Sequence, residues 1–219
     1  MQQSIQPATA LIYDANLFVY YCFNCKIKIG GNNITVKHIP FTNIIIDFTC
    51  KILNQGKKIL TTQNTMLEIE RKTIAEIVEE IAEGPVFKKF LRMQSNKVPS
   101  TIKYHICRKV EEKFKEIKQK DWLTIQPHQC DTAAIQAIRA VYDSLHCKND
   151  PRIIAIANKN KKRGIDSHYP SNVDVELIDY SSTKKAPLIS NDGDITSFAS
   201  ELTAANCCYA IIALSDLKY

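Results

Sequence analysis

Glycine is scarce in this chain, with six residues in 219. A β-sandwich or a propeller needs many tight turns, and so few glycines argue against both. Long apolar runs are also missing. Spanning a membrane takes about eighteen or more apolar residues, but the run from Ile44 to Phe48 is broken by Asp47 and the last apolar stretch is shorter still. No secretory signal precedes Leu11, and several of the eight cysteines lie inside apolar runs. The cysteines are therefore expected as free thiols in a reducing cytoplasm, not as a disulfide framework. The chain has no P-loop, no GxGxxG, no Ser/His/Asp arrangement and no internal repeat. Those absences remove the phosphate-loop, dinucleotide, serine-hydrolase and solenoid classes.

What is present is ordinary for a globular protein: 45% hydrophobic and 24% charged residues. The formal net charge is +6, a mild excess of Lys and Arg that fits a nucleic-acid partner without requiring one. The length admits a single domain, 1–219, carrying insertions.

Strand and helix patterns alternate along it. Ala10 to Asp14 reads as a strand and Asn16 to Phe23 as a helix. Lys26–Ile29 and Ile34–His38 alternate about Gly30-Gly31-Asn32-Asn33, a hairpin signal. Helical spacing follows over 43–54 with Gly56 as a stop, then a strand at Lys58–Thr62 and a long helix from Asn64 or Thr65 to Glu83. A short amphipathic helix over 86–94 leads to another through about Lys118, a strand at 122–125 and a helix over 129–145. Residues 148–185 are mostly polar, with strand-like runs at 152–157 and 173–180 flanking a basic stretch, Asn158 to Gly164. This segment reads as a β-rich insertion with a basic tip. Leu188–Ser190 is a further core strand, followed by a helix at 196–205 and a last strand at 207–214. The expected architecture is an α/β/α three-layer sandwich about a mainly parallel sheet, with β-rich insertions at 24–40 and 148–186.

The functional signal is acidic. Leu11-Ile12-Tyr13 is apolar without a break, as in a strand buried on both faces, and Asp14 ends it. Ligands of open α/β sheets sit outside the carboxyl ends of the strands, where an Asp would hold a metal or accept a proton, or serve as a helix N-cap. Glu68 follows the second core strand, Asp131 opens the helix after the third, and Asp192 and Asp194 follow the fourth. Each has an innocent explanation as a cap or turn residue. Together, four junctions bring carboxylates to one sheet edge, where like charges repel unless a cation joins them. Hard oxygen donors without soft partners select Mg²⁺ or Mn²⁺.

These pieces resemble the PIN-domain nucleases, a fold shared by VapC-type toxins and several RNA-processing enzymes. The matching residues are Leu11-Ile12-Tyr13-Asp14-Ala15-Asn16, Met66-Leu67-Glu68-Ile69, Asp131-Thr132-Ala133-Ala134-Ile135 and Ile189-Ser190-Asn191-Asp192-Gly193-Asp194-Ile195. The resemblance implies a metal-dependent endoribonuclease in which Asp14, Glu68, Asp131 and Asp192, with Asp194, hold Mg²⁺ or Mn²⁺. Water would be activated for in-line attack on phosphorus. Asn16 would orient the first carboxylate, and Ser190 would stand for the family's Ser/Thr ahead of the last acid. Glu70 competes with Glu68, and Asp194 with Asp192; the first of each pair is preferred, Glu68 for the apolar residue after it and Asp192 for its place nearest the strand end. The toxin branch also implies a cytoplasmic protein with an antitoxin or a second copy as partner. Departures are the long gap between Asp131 and Asp192, the hairpin, and part of 86–120.

Lys159, Lys161, Lys162 and Arg163 would contact RNA, or form a solvated loop. Cys22 and Cys25 with His38 lack the fourth ligand of a zinc ribbon, so packed thiols are the preferred reading. Two other functions stay in view. One is a non-catalytic RNA- or protein-binding module on the same fold. The other, a phosphoacceptor receiver domain, is disfavoured by the lone acid after the first strand.

Overall fold

A computed structural model describes residues 9–23, 25–29, 32–36, 40–71 and 100–217. Five parallel strands form the central sheet: β1 (Ala10–Tyr13), β4 (Lys58–Thr62), β5 (Leu123–Gln126), β6 (Leu188–Ser190) and β7 (Ile211–Ala213). Between the first two of these, β2 (Cys25–Ile29) and β3 (Asn32–Val36) pair antiparallel as a separate hairpin. The sheet order is β5-β4-β1-β6-β7. Chain progression therefore runs outward from β1 in one direction through β4 and β5, and in the other through β6 and β7. The reversal falls beside β1, where open α/β sheets form their ligand crevice.

β1 is central because its apolar run buries both faces: Leu11, Ile12 and Tyr13 are all essentially inaccessible. Leu11 and Tyr13 belong to one core, with Ile59 and Ile189 beside them. Ile12 and Leu188 belong to the other. The period-two alternation of the strands thus supplies two cores, one on each side of the sheet. Helices α1 (Ala15–Cys22), α2 (Pro40–Asn54), α3 (Gln63–Arg71) and α4 (Ser100–Ile117) contribute to the first. Helices α5 (Thr132–Cys147), α6 (Pro151–Lys161), α7 (Asn172–Lys184) and the short α8 (Gly193–Thr196) and α9 (Ala199–Ala204) cover the second. No helix among the described residues is long and apolar enough to cross a membrane. The seven cysteines whose side chains are described are all unbridged, with Cys22, Cys207 and Cys208 buried.

The expected hairpin forms, but Asn32 and Asn33 lie in its second strand, paired with Ile29 and Lys28, not in a turn; the segment 148–186 is helical, not β-rich. Arg152–Ala157 lies in α6, which opens on the Asp150 cap with Pro151 at its first position. Val173–Tyr180 lies in α7, where Ser171 and Asp174 form a reciprocal capping box. Apolar and polar residues alternate in Val173-Asp174-Val175-Glu176-Leu177 as in a strand. The helix carries that pattern because it is buried nearly all round, Asp174, Glu176 and Ser181 included, so no polar stripe marks its period. The last strand is shorter than its apolar run: Cys207 and Cys208 lie before it, packed in the second core. The helices expected over 72–83 and 86–94 fall outside the described residues, as do His38 and the side chain of Cys25.

Candidate metal centre

The carboxyl ends of β1, β4 and β6 open into a cavity of about 300 Å³. Its acids are Asp14, Glu68, Asp174, Asp192 and Asp194. Asp14 follows β1 directly and caps α1, its Oδ1 accepting from the Ala15 amide at 2.5 Å. Its other oxygen accepts from the Ser190 hydroxyl at 2.7 Å. Ser190 in turn accepts from the Asp192 amide at 2.9 Å, and Asp192 Oδ1 accepts from the Asp194 amide at 2.9 Å. One serine thus links the acid after β1 to the loop after β6. Glu68 enters from α3. Glu70, its competitor, is half-exposed on another face and ion-paired with Lys118.

Asp131 is not part of this cavity. It caps α5, accepting from the Ala134 amide at 2.6 Å. It follows β5, the edge strand, two positions from β1, roughly 10 Å across the sheet. Its place is taken by Asp174 in the first turn of α7. That helix leads into β6, so it runs against the strands and starts at their carboxyl edge. The sequence signal for Asp174 was available: Ser171-Asn172-Val173-Asp174 ahead of an apolar run is a capping box.

Electrostatics single out the two deepest acids. Burial pushes the Asp14 carboxyl up to about 6; the Ser190 hydroxyl opposes this, and the charges of Asp192 and Glu68 add to it. Burial likewise pushes Asp174 up to about 8, helped by Asp14, Asp192 and Glu68, with the Ser171 bond opposing. No three carboxylates of the cavity bring oxygens within 4.8 Å of one another, as expected of like charges that repel. Mg²⁺ keeps several of its waters and tolerates such spacing. The lining contains no imidazole or thiolate. An all-oxygen donor set with two buried, charge-strained carboxyls fits a hard divalent cation.

One rim is basic. Lys159 donates to Asp194 Oδ2 at 2.5 Å and stands 3.8 Å from Asp192 Oδ1. Burial works against its ammonium, but the Asp194 bond and the two carboxylate charges outweigh it and hold the group above the usual lysine range. Arg163 also lines the cavity, whereas Lys161 and Lys162 are exposed away from it. The buried Asn160 amide donates to the Ser167 and Tyr169 carbonyls, both at 2.9 Å. It thereby fastens the loop after α6 over the cavity. Gly164, at φ +75°, makes the turn into that loop. Asn16 lines the cavity beside Asp14.

Comparisons with protein-family models, curated proteins and solved structures return no match.

Proposed function

We propose that the chain is a PIN-like, metal-dependent endoribonuclease in which Asp14, Glu68, Asp174 and Asp192 hold Mg²⁺ or Mn²⁺, with Asp194 beside them. The observation that carries this reading is the convergence of five carboxylates, two of them buried, on the crevice beside β1. When bound, the cation would supply an activated water and neutralise charge on the leaving oxygen. The chain's own contributions are positional. Ser190 holds one oxygen of Asp14 and so fixes the plane of its carboxylate. Asp174 is locked at the start of α7 by Ser171. Lys159 and Arg163 offer the rim two cations for the phosphates flanking the scissile bond. RNA is preferred as substrate on the family resemblance and the net charge of +6.

One observation favours the second reading, a binding module that does not cut. Lys159 already provides a counter-charge for Asp194 and Asp192. The deciding experiment incubates the purified chain with end-labelled single-stranded and hairpin RNAs in Mg²⁺, Mn²⁺ or EDTA. Cleavage that needs the metal and vanishes in Asp14→Asn and Asp174→Asn, but persists in Asp131→Asn, supports the nuclease. Retarded but intact RNA under every condition supports the binding module.

A further inference from the structure

We propose that His128, Cys130 and Asp179 form a second metal site, for Zn²⁺, that fastens the segment between β5 and α5 to α7. A His128 ring nitrogen, the Cys130 Sγ and a carboxylate oxygen of Asp179 all lie within 4.8 Å of one another. This is the one group of three metal-ligating side chains so gathered among the described residues. His128 Nε2 and Asp179 Oδ2 are 2.7 Å apart, and both side chains are largely shielded, at 12% and 16% exposure. The His128 ring rests on Tyr180, centroids 5.0 Å apart, which holds its orientation.

A second observation lies on the adjoining turn of α7. Glu176 stands one turn before Asp179 on α7, on the same side of the helix. It is 7% exposed. Its Oε2 accepts from Asn64 Nδ2 at 2.6 Å, while Oε1 is buried with no hydrogen-bond partner among the described residues. The Glu176 charge reaches the thiol: with burial first and Asp179 next, it helps push Cys130 up to about 12. Glu176 thus stands beside the group of three, outside its 4.8 Å cluster, and its negative charge favours a cation there.

Imidazole, thiolate and carboxylate make a borderline-soft set that suits Zn²⁺ and disfavours Mg²⁺. The acid centre has the opposite preference, so each site selects its own ion. On binding, the Cys130 S–H bond breaks, a metal–sulfur bond forms, and the proton leaves to the buffer. The site would steady α7, which carries Asp174 one and a half turns earlier.

The test uses the full chain, reduced, stripped of metal and titrated with Co²⁺ alone. The expected result is a near-ultraviolet thiolate-to-cobalt charge-transfer band that saturates at a single equivalent and is erased by Zn²⁺. Cys130→Ser and His128→Ala should lose the band, Glu176→Gln should weaken binding about tenfold, and Asp14→Asn should keep it. Because Cys130→Ser could fold poorly, wild-type protein is also alkylated with iodoacetamide, with and without Zn²⁺, and Cys130 labelling read by mass spectrometry. Zn²⁺ should protect it. No charge-transfer band in the wild type, an undiminished band in folded Cys130→Ser, or Cys130 labelling indifferent to Zn²⁺ overturns the proposal.

Discussion

The Ser190 hydroxyl donates to Asp14 Oδ2 at 2.7 Å, across the two strands between which the chain reverses its progression through the sheet. The Ser190 hydroxyl oxygen also accepts from the Asp192 amide. Ser190→Ala leaves the buried Asp14 carboxylate and the half-buried Asp192 amide without this partner, at a cost of about 1–3 kcal/mol in stability. Cleavage should fall roughly tenfold to a hundredfold, as for other groups that orient a metal ligand. The hydroxyl holds the Asp14 carboxyl down, so the acid limb of the pH–rate profile should move upward. An unmoved limb would mean that Ser190 does not orient Asp14.

Asp131 caps α5 while Asp174 sits in the first turn of α7 behind the Ser171 cap, and the two face different surroundings. Asp174→Asn should abolish metal-dependent cleavage while the chain stays folded, since burial and its acidic neighbours already disfavour the charge it removes. Asp131→Ala should leave cleavage intact and cost about 1 kcal/mol of stability through the lost cap. Steady-state kinetics and thermal melts of both variants check the pair.

A parallel contrast separates Glu68 from Glu70. Glu68→Gln should lose activity with little change in melting temperature. Glu70→Gln breaks only a half-exposed ion pair with Lys118 and should shift stability by less than about 1 kcal/mol, with activity unchanged. Equal losses in both variants would remove Glu68 from the centre.

Metal-free protein should lose stability as pH rises. Asp14 and Asp174 titrate near 3.8 when unfolded but at about 6 and about 8 when folded. Between these values the folded chain keeps protons that the unfolded chain has released. The favourable contribution is complete below about pH 4 and is lost as pH climbs through 6 to 8. Carboxyls held low by partners, such as Asp150 beside Arg152, have finished titrating below this window. Melts in EDTA from pH 5 to 8.5 should show the decline, Asp174→Asn should flatten its upper part, and Mn²⁺ should restore most stability at the alkaline end.

Lys159 competes with any cation for Asp194 and Asp192. Lys159→Gln should lower the Mg²⁺ concentration for half-maximal cleavage and raise the KM for RNA. Lys161→Ala and Lys162→Ala, which stand off the cavity, should leave the Mg²⁺ requirement alone and only reduce the salt dependence of RNA binding. An Mg²⁺ requirement unchanged in Lys159→Gln would show that the lysine is no competitor.

The elements legible in the sequence are those whose signal is local. β4 and β6 occupy Lys58–Thr62 and Leu188–Ser190 as their apolar runs indicate, and β1 ends one residue short of Asp14. Asp14, Glu68, Asp192 and Asp194 could be picked out because each follows its strand within a few residues, and a strand's carboxyl end faces the crevice. The helices α6 and α7 were hidden. In α7, burial on nearly every side erases the polar stripe that announces a helix, and what remains alternates like a strand; in α6 the run Ile153-Ile154-Ala155-Ile156 reads as a strand because Ile154 is apolar yet exposed.

Two things the chain determined by itself: an α/β pattern with a parallel sheet, and acids at the ends of its strands. Which acids meet was left to the tertiary structure. Asp131 and Asp174 both sit at helix starts, and what sends only one of them to the crevice is strand order. β5 is an edge strand two places from β1, while α7 feeds β6 directly beside it. Strand order is set by how two cores pack on opposite faces of one sheet, a balance of contacts far apart along the chain, and no local spacing encodes it. The same packing brings Asp179 of α7 to His128 and Cys130, some fifty residues earlier in the chain.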